Sequence, residues 1–418
     1  MGKYVILGNH KLKGSLRVNG SKNAALPILV ATILNGSISV INNCPDIADT
    51  KTAIDILKSI GCTIERFDKT IIVNSSDISK KEIPRELVKK MRSSIIFLGP
   101  MLARFGEVKI YQPGGCELGK RPIDLHISAL KKMGAEIEEN DDSIICRCEK
   151  LKGCEIKLNF PSVGATQNII LAGVFAYGIT KIYNCAKEPE VSDLCNFLVK
   201  CGAKIDGIGT SEITITGVEK LKPVQYTIIP DRIEAGTYLI ATAGAGGKIT
   251  LENIIYEHIA PIVDILKKMG CKVKIDKSTI TLKSPKRLIN VPFIKTLPYP
   301  DLPTDIQPQL TALSTIAKGI CFFDETIFEN RTAHIPELIK MGADIDQKSN
   351  HEFVVKGVEK LYGADVSAKD LRGGAALIIA GLCADGITTI DNTGYVERGY
   401  ENIVENLINL GANISLKN

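Results

Sequence analysis

The sequence predicts an α/β protein of two domains, each built from three copies of one helix-and-strand module. Three observations indicate this fold. The length of 418 residues exceeds the usual size of one hydrophobic core. One phrase repeats six times along the chain, and six helices are apolar on nearly every face. With 44% hydrophobic and 24% charged residues, the chain has the composition of a folded protein.

The repeated phrase is amphipathic and contains one glycine near its centre. Its copies are LKSIGCTI, LKKMGAEI, LVKCGAKI, LKKMGCKV, LIKMGADI and LINLGANI. Their glycines are Gly61, Gly134, Gly202, Gly270, Gly342 and Gly411. Glycine accepts the left-handed conformation in which many helices end. Each phrase therefore predicts the end of an amphipathic helix and the start of a strand.

A second helix precedes each phrase and has hydrophobic or small residues all round. The six segments are ALPILVATIL, SSIIFLGPMLA, QNIILAGVFA, GTYLIATAGA, LTALSTIA and GGAALIIAGLCA. A helix without a polar face must be buried. Each is predicted to stop at a glycine, and a short strand follows: Gly36, Gly106, Gly178, Gly247, Gly319 and Gly386. Sheets are therefore expected to wrap the apolar helices, with the amphipathic helices outside.

Six modules divide into two sets of three, separated near residues 223–230. The first domain is predicted to span residues 22–229. The chain opens with a strand-like piece before the first buried helix, and this piece is expected to pair with the last module. The second domain would then be discontinuous, with residues 1–21 joined to 230–418.

Composition excludes several classes of protein. The net charge of +5 is modest and scattered, so a nucleic-acid partner is not expected. No segment approaches the ~20 apolar residues of a membrane span, and the apolar run at 4–7 is too short for a signal peptide. We therefore expect a cytoplasmic protein whose twelve cysteines are reduced. Cys146 and Cys148 are too few for a zinc site, and no metal is expected. The composition does not exclude small anionic substrates.

Function is expected where the modules differ. The second module is the longest between its two glycines, and its extra residues lie in the loop YQPGGCELGKRPID, which carries Cys116. The starts of the buried helices form an equivalent set, and helix N-termini attract anions. Four of the six also carry Lys or Arg, although capping and solvated charge is the alternative interpretation. The set is Lys22 and Asn23, Arg92, Ser162 to Gly164, Asp231 and Arg232, Thr304 and Asp305, and Asp370 and Arg372.

Several of these segments resemble the enolpyruvyl transferase family, and within it the UDP-N-acetylglucosamine 1-carboxyvinyltransferases. They are GSKNAALP, KMRSSI, PGGCELGKRPIDLHI, PSVGATQN, PDRIEAGT, PTDIQPQ, IFENR, DLRGGAALIIAG and YVERGYE. The resemblance implies two inside-out α/β barrels of three repeats each. It also implies transfer of enolpyruvyl from phosphoenolpyruvate to the 3′-hydroxyl of UDP-N-acetylglucosamine, the first committed step of peptidoglycan synthesis. We expect a monomer without cofactor.

The resemblance also assigns site residues. Phosphoenolpyruvate would be held by Lys22, Asn23, Arg121, Arg372 and Arg398. Cys116 would donate a proton to the methylene carbon, and it is the thiol that fosfomycin alkylates in the family. Asp305 would act as base or proton relay. Neighbouring cations favour a thiolate, so a covalent role for Cys116 stays open beside the acid role.

The nucleotide sugar would contact a second set of residues. By resemblance these are Arg92, Arg121, Pro122, Ile123, Asp124, Leu125, Ser162, Val163, Gly164, Asp305 and Ile327. The chain departs from some relatives at Phe160, where they have lysine, so one charge contact to the diphosphate is expected to be missing.

Two alternatives differ in their sequence signature. The sister activity on shikimate 3-phosphate shares the chemistry, but its family reads SKSxSNR where this chain has SKNAALP, and it lacks the loop cysteine. A non-catalytic repeat scaffold would have similar loops in all modules. Cys116, Arg121 and Asp305 each occur in one copy only, which disfavours a scaffold.

Overall fold

The computed structural model describes residues 2–111 and 123–417 and divides them into two compact units. The first unit contains residues 20–111 and 123–229, and the second contains residues 2–19 and 230–417. Each has its own hydrophobic core. The predicted limits of the domains as independent folding units stay a prediction.

The chain begins with two strands that belong to the second unit and then forms the first unit. The opening strands are β1 (Lys3–Leu7) and β2 (Leu12–Arg17). The first unit continues with α1 (Lys22–Asn35), β3 (Ile38–Asn42), α2 (Ala48–Ile60), β4 (Thr63–Phe67), β5 (Thr70–Asn74), α3 (Arg85–Lys90), a 3-10 helix (Arg92–Phe97), α4 (Leu98–Phe105), β6 (Glu107–Tyr111), α5 (Asp124–Lys132), β7 (Glu136–Glu139), β8 (Ser143–Arg147), β9 (Glu155–Lys157), α6 (Val163–Gly173), β10 (Ile179–Tyr183), α7 (Pro189–Cys201), β11 (Lys204–Asp206), β12 (Glu212–Thr216) and β13 (Val224–Thr227).

The second unit follows a similar order of elements. It comprises α8 (Arg232–Ala245), β14 (Gly247–Glu252), α9 (Tyr256–Lys268), β15 (Lys272–Asp276), β16 (Thr279–Lys283), β17 (Phe293–Lys295), a 3-10 helix (Thr304–Ile306), α10 (Gln307–Ser314), β18 (Ile320–Asp324), α11 (Ile335–Lys340), β19 (Asp344–Gln347), β20 (Glu352–Lys356), β21 (Asp365–Ser367), α12 (Leu371–Cys383), β22 (Ile387–Asp391), α13 (Gly394–Glu397), α14 (Ile403–Asn409) and β23 (Asn413–Lys417).

One sheet accompanies each module. Over the described residues, the strand orders in the first unit are β13-β3-β5-β4, β6-β8-β7 and β11-β12-β10-β9. Those in the second are β15-β16-β14-β2, β17-β18-β20-β19 and β21-β22-β1-β23. In the first five modules, the strand after the buried helix pairs antiparallel with the second strand after the amphipathic helix, for example Val40 opposite Ile72. In the sixth module, β22 pairs antiparallel with β1 instead. The predicted module is confirmed. Residues 224–227, which the sequence places near a break, instead form a strand parallel to β3.

The apolar helices are buried as the sequence predicts. In α1, every residue from Ala24 to Asn35 is buried. The helices α1, α4 and α6 contact one another in the first core, and α8, α10 and α12 do so in the second. Because most residues of α1 after Asn23 are apolar or small, burial of every face costs little polar desolvation. The N-terminal end of each buried helix is therefore held rigidly by the core around it.

The repeated glycines adopt the predicted conformation. The six in the amphipathic phrases have φ between 90° and 119°. At Gly61 the N–H donates to the carbonyls of Leu57 and Lys58, which closes the end of α2. The second set is only partly as predicted: α1 and α4 end at Gly36 and Gly106, but the other buried helices end two to five residues before their glycine. Tight turns connect the ends of these helices to their glycines.

Two buried helices begin as 3-10 helices, which the sequence did not predict. At the start of α4, the side-chain amide of Asn168 lies between Gly99 and Ile95: Gly99 N donates to Asn168 Oδ1 (2.6 Å), and Asn168 Nδ2 donates to Ile95 O (3.1 Å). This insertion replaces the α-helical bond from Gly99 to Ile95. At the start of α10, Pro308 has no N–H, so the chain tightens through a bond from Gln307 N to Thr304 O.

The opening strands pair with the last and the fourth modules. Strand β1 lies antiparallel between β22 and β23, with Tyr4 opposite Ile390 and Leu416. Strand β2 is parallel to β14. The expected pairing with the last module is confirmed. Across residues 2–111 and 123–417, no helix has both the length and the apolar character needed to cross a membrane.

Candidate active site

The predicted site residues fall on both units, mostly at the N-terminal ends of buried helices. The first unit carries Lys22, Asn23, Arg92, Ile123, Asp124, Leu125, Ser162, Val163 and Gly164. The second carries Asp305, Ile327, Arg372 and Arg398. Cys116, Arg121 and Pro122 lie outside the residues that the structure describes. The two groups are described separately below.

Lys22 is the first residue of α1 and is paired with a buried carboxylate. Its Nζ lies 2.7 Å from Asp49 Oδ2 on α2, and the two side chains are 11% and 5% exposed. A cation at a helix N-terminus is repelled by the helix dipole, so Asp49 compensates an otherwise unfavourable position. Asn23 is the next residue of the helix and is half-buried. Asp49 was not among the predicted site residues, although a charged residue on the buried face of an amphipathic helix is a usable signal.

Ser162, Val163 and Gly164 form the start of α6. Ser162 is the N-cap, and its Oγ accepts a hydrogen bond from Ala165 N (3.3 Å). The first N–H groups of a helix have no partner within the helix, so Val163 and Gly164 present donors of the type that bind phosphate. Phe160, at the position where some relatives have lysine, is 42% exposed. The Phe160 side chain has no polar atom, and the missing charge contact to the diphosphate stays a prediction.

A buried histidine and asparagine support this end of α6. Asn168 Nδ2 lies 3.0 Å from His126 Nδ1, and the same amide donates to Ile95 O. Since the amide nitrogen can only donate, His126 Nδ1 must accept, and the neutral ring carries its proton on Nε2. Burial lowers the pKa of His126 to about 4, although the charge of Asp124 raises it slightly. A side chain at Gly164 would meet the Nε2 edge of this ring at 3.3 Å.

Asp305 in the second unit is paired with two arginines. Its Oδ1 accepts a hydrogen bond from Arg331 Nη2 and its Oδ2 accepts one from Arg372 Nη2, each at 2.8 Å. The arginine side chains are 2% and 4% exposed, and that of Asp305 is 24% exposed. Burial alone would raise the pKa of Asp305, but the charges of Arg372 and Arg331 and their hydrogen bonds hold it well below its usual range.

Arg372 is fixed by several further contacts at the start of α12. Asp370 caps the helix, and its Oδ1 accepts from Arg372 N (2.8 Å) and Gly373 N (2.9 Å). The guanidinium carbon of Arg372 lies 5.5 Å from the centroid of the Tyr400 ring. Burial would lower the pKa of Arg372, but the Asp305 carboxylate raises it, so the guanidinium stays charged. The Arg372 side chain therefore already contacts other side chains of the protein. Its predicted contact with phosphoenolpyruvate stays a prediction.

Ile327 and Arg398 lie on loops of the second unit. Ile327 N donates to Glu325 Oε1 (2.9 Å), so a buried carboxylate sets the course of its loop. Arg398 follows α13 directly and is half-buried. The described residues contain no group of three or more His, Cys, Asp or Glu side chains that could hold a metal ion.

The structure brings some predicted residues together and adds others. Asp305 and Arg372, from different modules, are in direct contact, and Gly164 lies beside His126. Sequence reasoning missed Arg331, Glu325 and Asn168 as supporting residues. Arg331 lies inside the quoted segment IFENR, so the resemblance contained it without assigning it a role.

The chain is similar over nearly its whole length to relatives of known name. The family model for EPSP synthase (3-phosphoshikimate 1-carboxyvinyltransferase) matches residues 6–407. UDP-N-acetylglucosamine 1-carboxyvinyltransferase 2 of Caldanaerobacter subterraneus is 48% identical over 414 residues, covering 99% of each chain. UDP-N-acetylglucosamine 1-carboxyvinyltransferase 1 of Carboxydothermus hydrogenoformans is 46% identical over 418 residues, covering 100% of this chain and 99% of the relative.

Solved structures share the fold. The enolpyruvyl transferase NikO from Streptomyces tendae matches with a TM-score of 0.90 and 25% identity, covering 100% of this chain and 99% of that one. EPSP synthase from Acinetobacter baumannii matches over 100% of both chains with a TM-score of 0.78 and 20% identity, a likeness that concerns the fold alone. The predicted fold class, an α/β protein of two barrels with sheets around buried helices, is confirmed.

Proposed function

The chain belongs to the enolpyruvyl transferase family of EPSP synthase, and we propose that it transfers enolpyruvyl from phosphoenolpyruvate to the 3′-hydroxyl of UDP-N-acetylglucosamine, releasing phosphate. The similarity to UDP-N-acetylglucosamine 1-carboxyvinyltransferases at 44–48% identity, over nearly the whole of both chains, carries this proposal. The product would be the first committed precursor of peptidoglycan. We place the reaction in the cytoplasm.

Phosphoenolpyruvate has a phosphate and a carboxylate, so its site needs fixed positive charge. Lys22 supplies an ammonium at the start of α1, where the helix N–H groups add positive potential. Arg121, Arg372 and Arg398 would supply guanidinium groups that bind phosphate or carboxylate through paired donors. Asn23 would contribute an uncharged amide donor. Together, the guanidinium and ammonium groups can balance the negative charges of the phosphate and the carboxylate.

The nucleotide sugar would contact the second set of predicted residues. The N–H groups of Val163 and Gly164, capped by Ser162, suit one phosphate of the diphosphate. By resemblance, Arg92 would contact the nucleotide sugar as well. The residues from 121 to 125 would contact the nucleotide. On the second unit, Asp305 would accept a hydrogen bond from the sugar hydroxyl, with Ile327 beside it. The two arginines keep this carboxylate ionised, so it can accept a hydrogen bond from the hydroxyl, although the same charges make it a weak base.

The reaction needs one proton delivered and one removed. The sugar 3′-oxygen bonds to the enol carbon while Cys116 protonates the neighbouring methylene carbon, and the hydroxyl proton leaves towards Asp305. Phosphate then leaves, and the methyl carbon gives up a proton. The carbon–carbon double bond forms again, now as an enol ether. Each step conserves its atoms, so no external oxidant, reductant or cofactor is required.

A phosphate-release assay tests the proposal. The purified protein should release phosphate when phosphoenolpyruvate and UDP-N-acetylglucosamine are both present, and little with either alone. Shikimate 3-phosphate in place of the nucleotide sugar serves as the control for the sister activity. Phosphate release with shikimate 3-phosphate and none with the nucleotide sugar would reverse the assignment. Fosfomycin should react with Cys116, and it should react faster when UDP-N-acetylglucosamine is present.

A further inference from the structure

A chain of buried polar contacts connects Asp305 to the loop that carries Ile327. Arg331 uses two nitrogens at once: Nη2 donates to Asp305 Oδ1 (2.8 Å) and Nη1 donates to Thr304 Oγ1 (3.2 Å). The Thr304 hydroxyl in turn donates to Glu325, whose oxygens lie at 2.9 and 3.0 Å. Since this hydroxyl has one proton, Glu325 receives it and Arg331 binds a lone pair of the same oxygen.

The far end of the chain of contacts fixes backbone. Glu325 is 1% exposed, and its Oε1 accepts from Ile327 N (2.9 Å) and Phe328 N (3.2 Å). The guanidinium carbon of Arg331 lies 5.0 Å from the centroid of the Phe328 ring. The same arginine therefore contacts the loop at its ring and holds Asp305 and Thr304 by hydrogen bonds. Charge-assisted bonds in such a buried network are stronger than bonds between neutral groups.

We propose that Arg331 is a positioning residue, which holds Asp305 and the backbone of residues 327–328 in one fixed arrangement for the nucleotide sugar. This inference rests on the proposed function, because Asp305 and Ile327 matter together only if one ligand contacts both. Arg331 does not itself reach the substrate in this account: its side chain is 2% exposed and its Nη groups are bonded to protein. Its role is to act through Asp305 and Glu325.

Both arginines act on the charge of Asp305. Burial opposes the ionised carboxylate, and the charges and hydrogen bonds of Arg372 and Arg331 lower its pKa in spite of burial. Arg372 is shared, since Tyr400 and Asp231 also act on it. His334, which faces Arg331 and Asp370, adds no charge near neutral pH because burial lowers its pKa to about 4. Removal of Arg331 therefore takes one of these cations away from a partly buried carboxylate.

Lysine at this position would preserve charge but not geometry. A guanidinium presents two donors in one plane, which is what allows it to bond Asp305 and Thr304 together, whereas an ammonium is a point charge. Arg331→Lys should therefore keep part of the effect on Asp305 and lose the link to Thr304. Arg331→Met should lose both. The graded response separates the electrostatic part of the role from the geometric part.

The first measurement follows the Asp305 carboxyl directly. In protein labelled with ¹³C at the aspartate carboxyls, the Asp305 resonance is identified by its loss in Asp305→Asn. In the wild type it should remain ionised below the ordinary aspartate pKa of about 3.9, and in Arg331→Met it should titrate at or above that value. Arg104→Met is the matched control, because Arg104 is a part-buried arginine of the first unit that donates to Ile33 O and Ser75 O. It should leave the Asp305 titration unchanged.

The second measurement separates positioning from stability. Arg331→Met should raise KM for UDP-N-acetylglucosamine by at least about tenfold, the equivalent of one lost charge-assisted hydrogen bond, and change KM for phosphoenolpyruvate by less than about threefold. The acid limb of kcat/KM should move to higher pH together with the NMR titration. Arg104→Met should lower the unfolding temperature without altering either KM.

Clear results would overturn the proposal. An Asp305 resonance that titrates identically in wild type and Arg331→Met, or equal loss for both substrates, would reduce Arg331 to a structural residue. If Arg331→Met does not fold, Thr304→Val removes the bridging hydroxyl and keeps the side-chain shape, and an unchanged KM for the nucleotide sugar would then refute the link to the loop. A wild type that releases no phosphate would refute the proposed function instead, while the NMR titration would still decide the effect of Arg331 on Asp305.

Discussion

Replacement of Asn168 by leucine tests whether one amide holds the entry to α4. The side chain makes three buried contacts: it accepts from Gly99 N, donates to Ile95 O, and donates to His126 Nδ1. Leucine has a similar size and no polar atom. If all three partners lost their bond, the cost would be about 3–9 kcal/mol at about 1–3 kcal/mol for each unsatisfied buried group.

The local structure can recover part of this cost. Without the inserted amide, Gly99 N and Ile95 O can form the ordinary α-helical bond to each other, because they stand four residues apart. Only His126 Nδ1 then lacks a partner, and the 3-10 segment from Arg92 to Phe97 must rewind. We therefore expect a loss of about 2–4 kcal/mol, which corresponds to roughly 4–16 °C for a unit of this size.

Differential scanning calorimetry of Asn168→Leu, with Thr166→Val as the matched control, measures this effect. Thr166 lies on the same helix and makes one comparable contact, an acceptor bond from Ala186 N (3.1 Å). Its replacement should cost about 1–2 kcal/mol. Amide exchange at Gly99 should also accelerate in Asn168→Leu. A variant no less stable than Thr166→Val, with Gly99 exchange unchanged, would show that the amide insertion does not determine the start of α4.

Three further predictions concern pH and the site. Because burial lowers the pKa of His126 to about 4 while the unfolded value is near 6.5, the unfolded chain binds the proton more readily, and stability falls as the pH drops from about 6.5 to about 4. In His126→Gln, the free energy of unfolding should change by roughly 3 kcal/mol less over this pH range. An unchanged pH dependence would contradict the buried neutral ring. Cys116→Asp should retain phosphate release but resist fosfomycin, because a carboxylic acid can donate a proton yet is a poor target for the epoxide; loss of activity with retained folding would count against the acid role. Arg398→Ala should raise KM for phosphoenolpyruvate about tenfold or more and KM for the nucleotide sugar much less, and an equal rise would refute the assignment.

The repeat made most of the fold predictable from sequence. Glycine at a fixed place in each amphipathic phrase reports a backbone conformation directly, and helices without a polar face can only be buried. The starts of α4 and α10 were not predictable in the same way. At α4 the cause is a side chain from another module, Asn168, and no local pattern in SSIIFLGP indicates that an amide will be inserted there.

A site residue was predictable where its type has an intrinsic preference for the start of a helix. Lysine, arginine, serine and aspartate at helix starts indicate anion binding and capping on local grounds. Partners that come from elsewhere in the chain were missed, because a single sequence gives no distances. Asp49 and Arg331 stand 27 and 26 residues from the residues they bind, and neither lies in a segment whose own pattern requires a charge.

The two pairs found by the structure have one physical cause. Lys22 stands at the positive end of α1 and Arg372 at the positive end of α12, and in both places the helix dipole repels the cation. A cation can be kept there only if a carboxylate compensates it, and Asp49 and Asp305 do so at 2.7 and 2.8 Å. An anionic substrate that arrives at such a helix end meets a cation already ordered and partly desolvated, so less entropy is lost when it binds. The carboxylates that weaken the net positive charge are thus the same groups that keep it in place, which is why removal of either should impair binding and not enhance it.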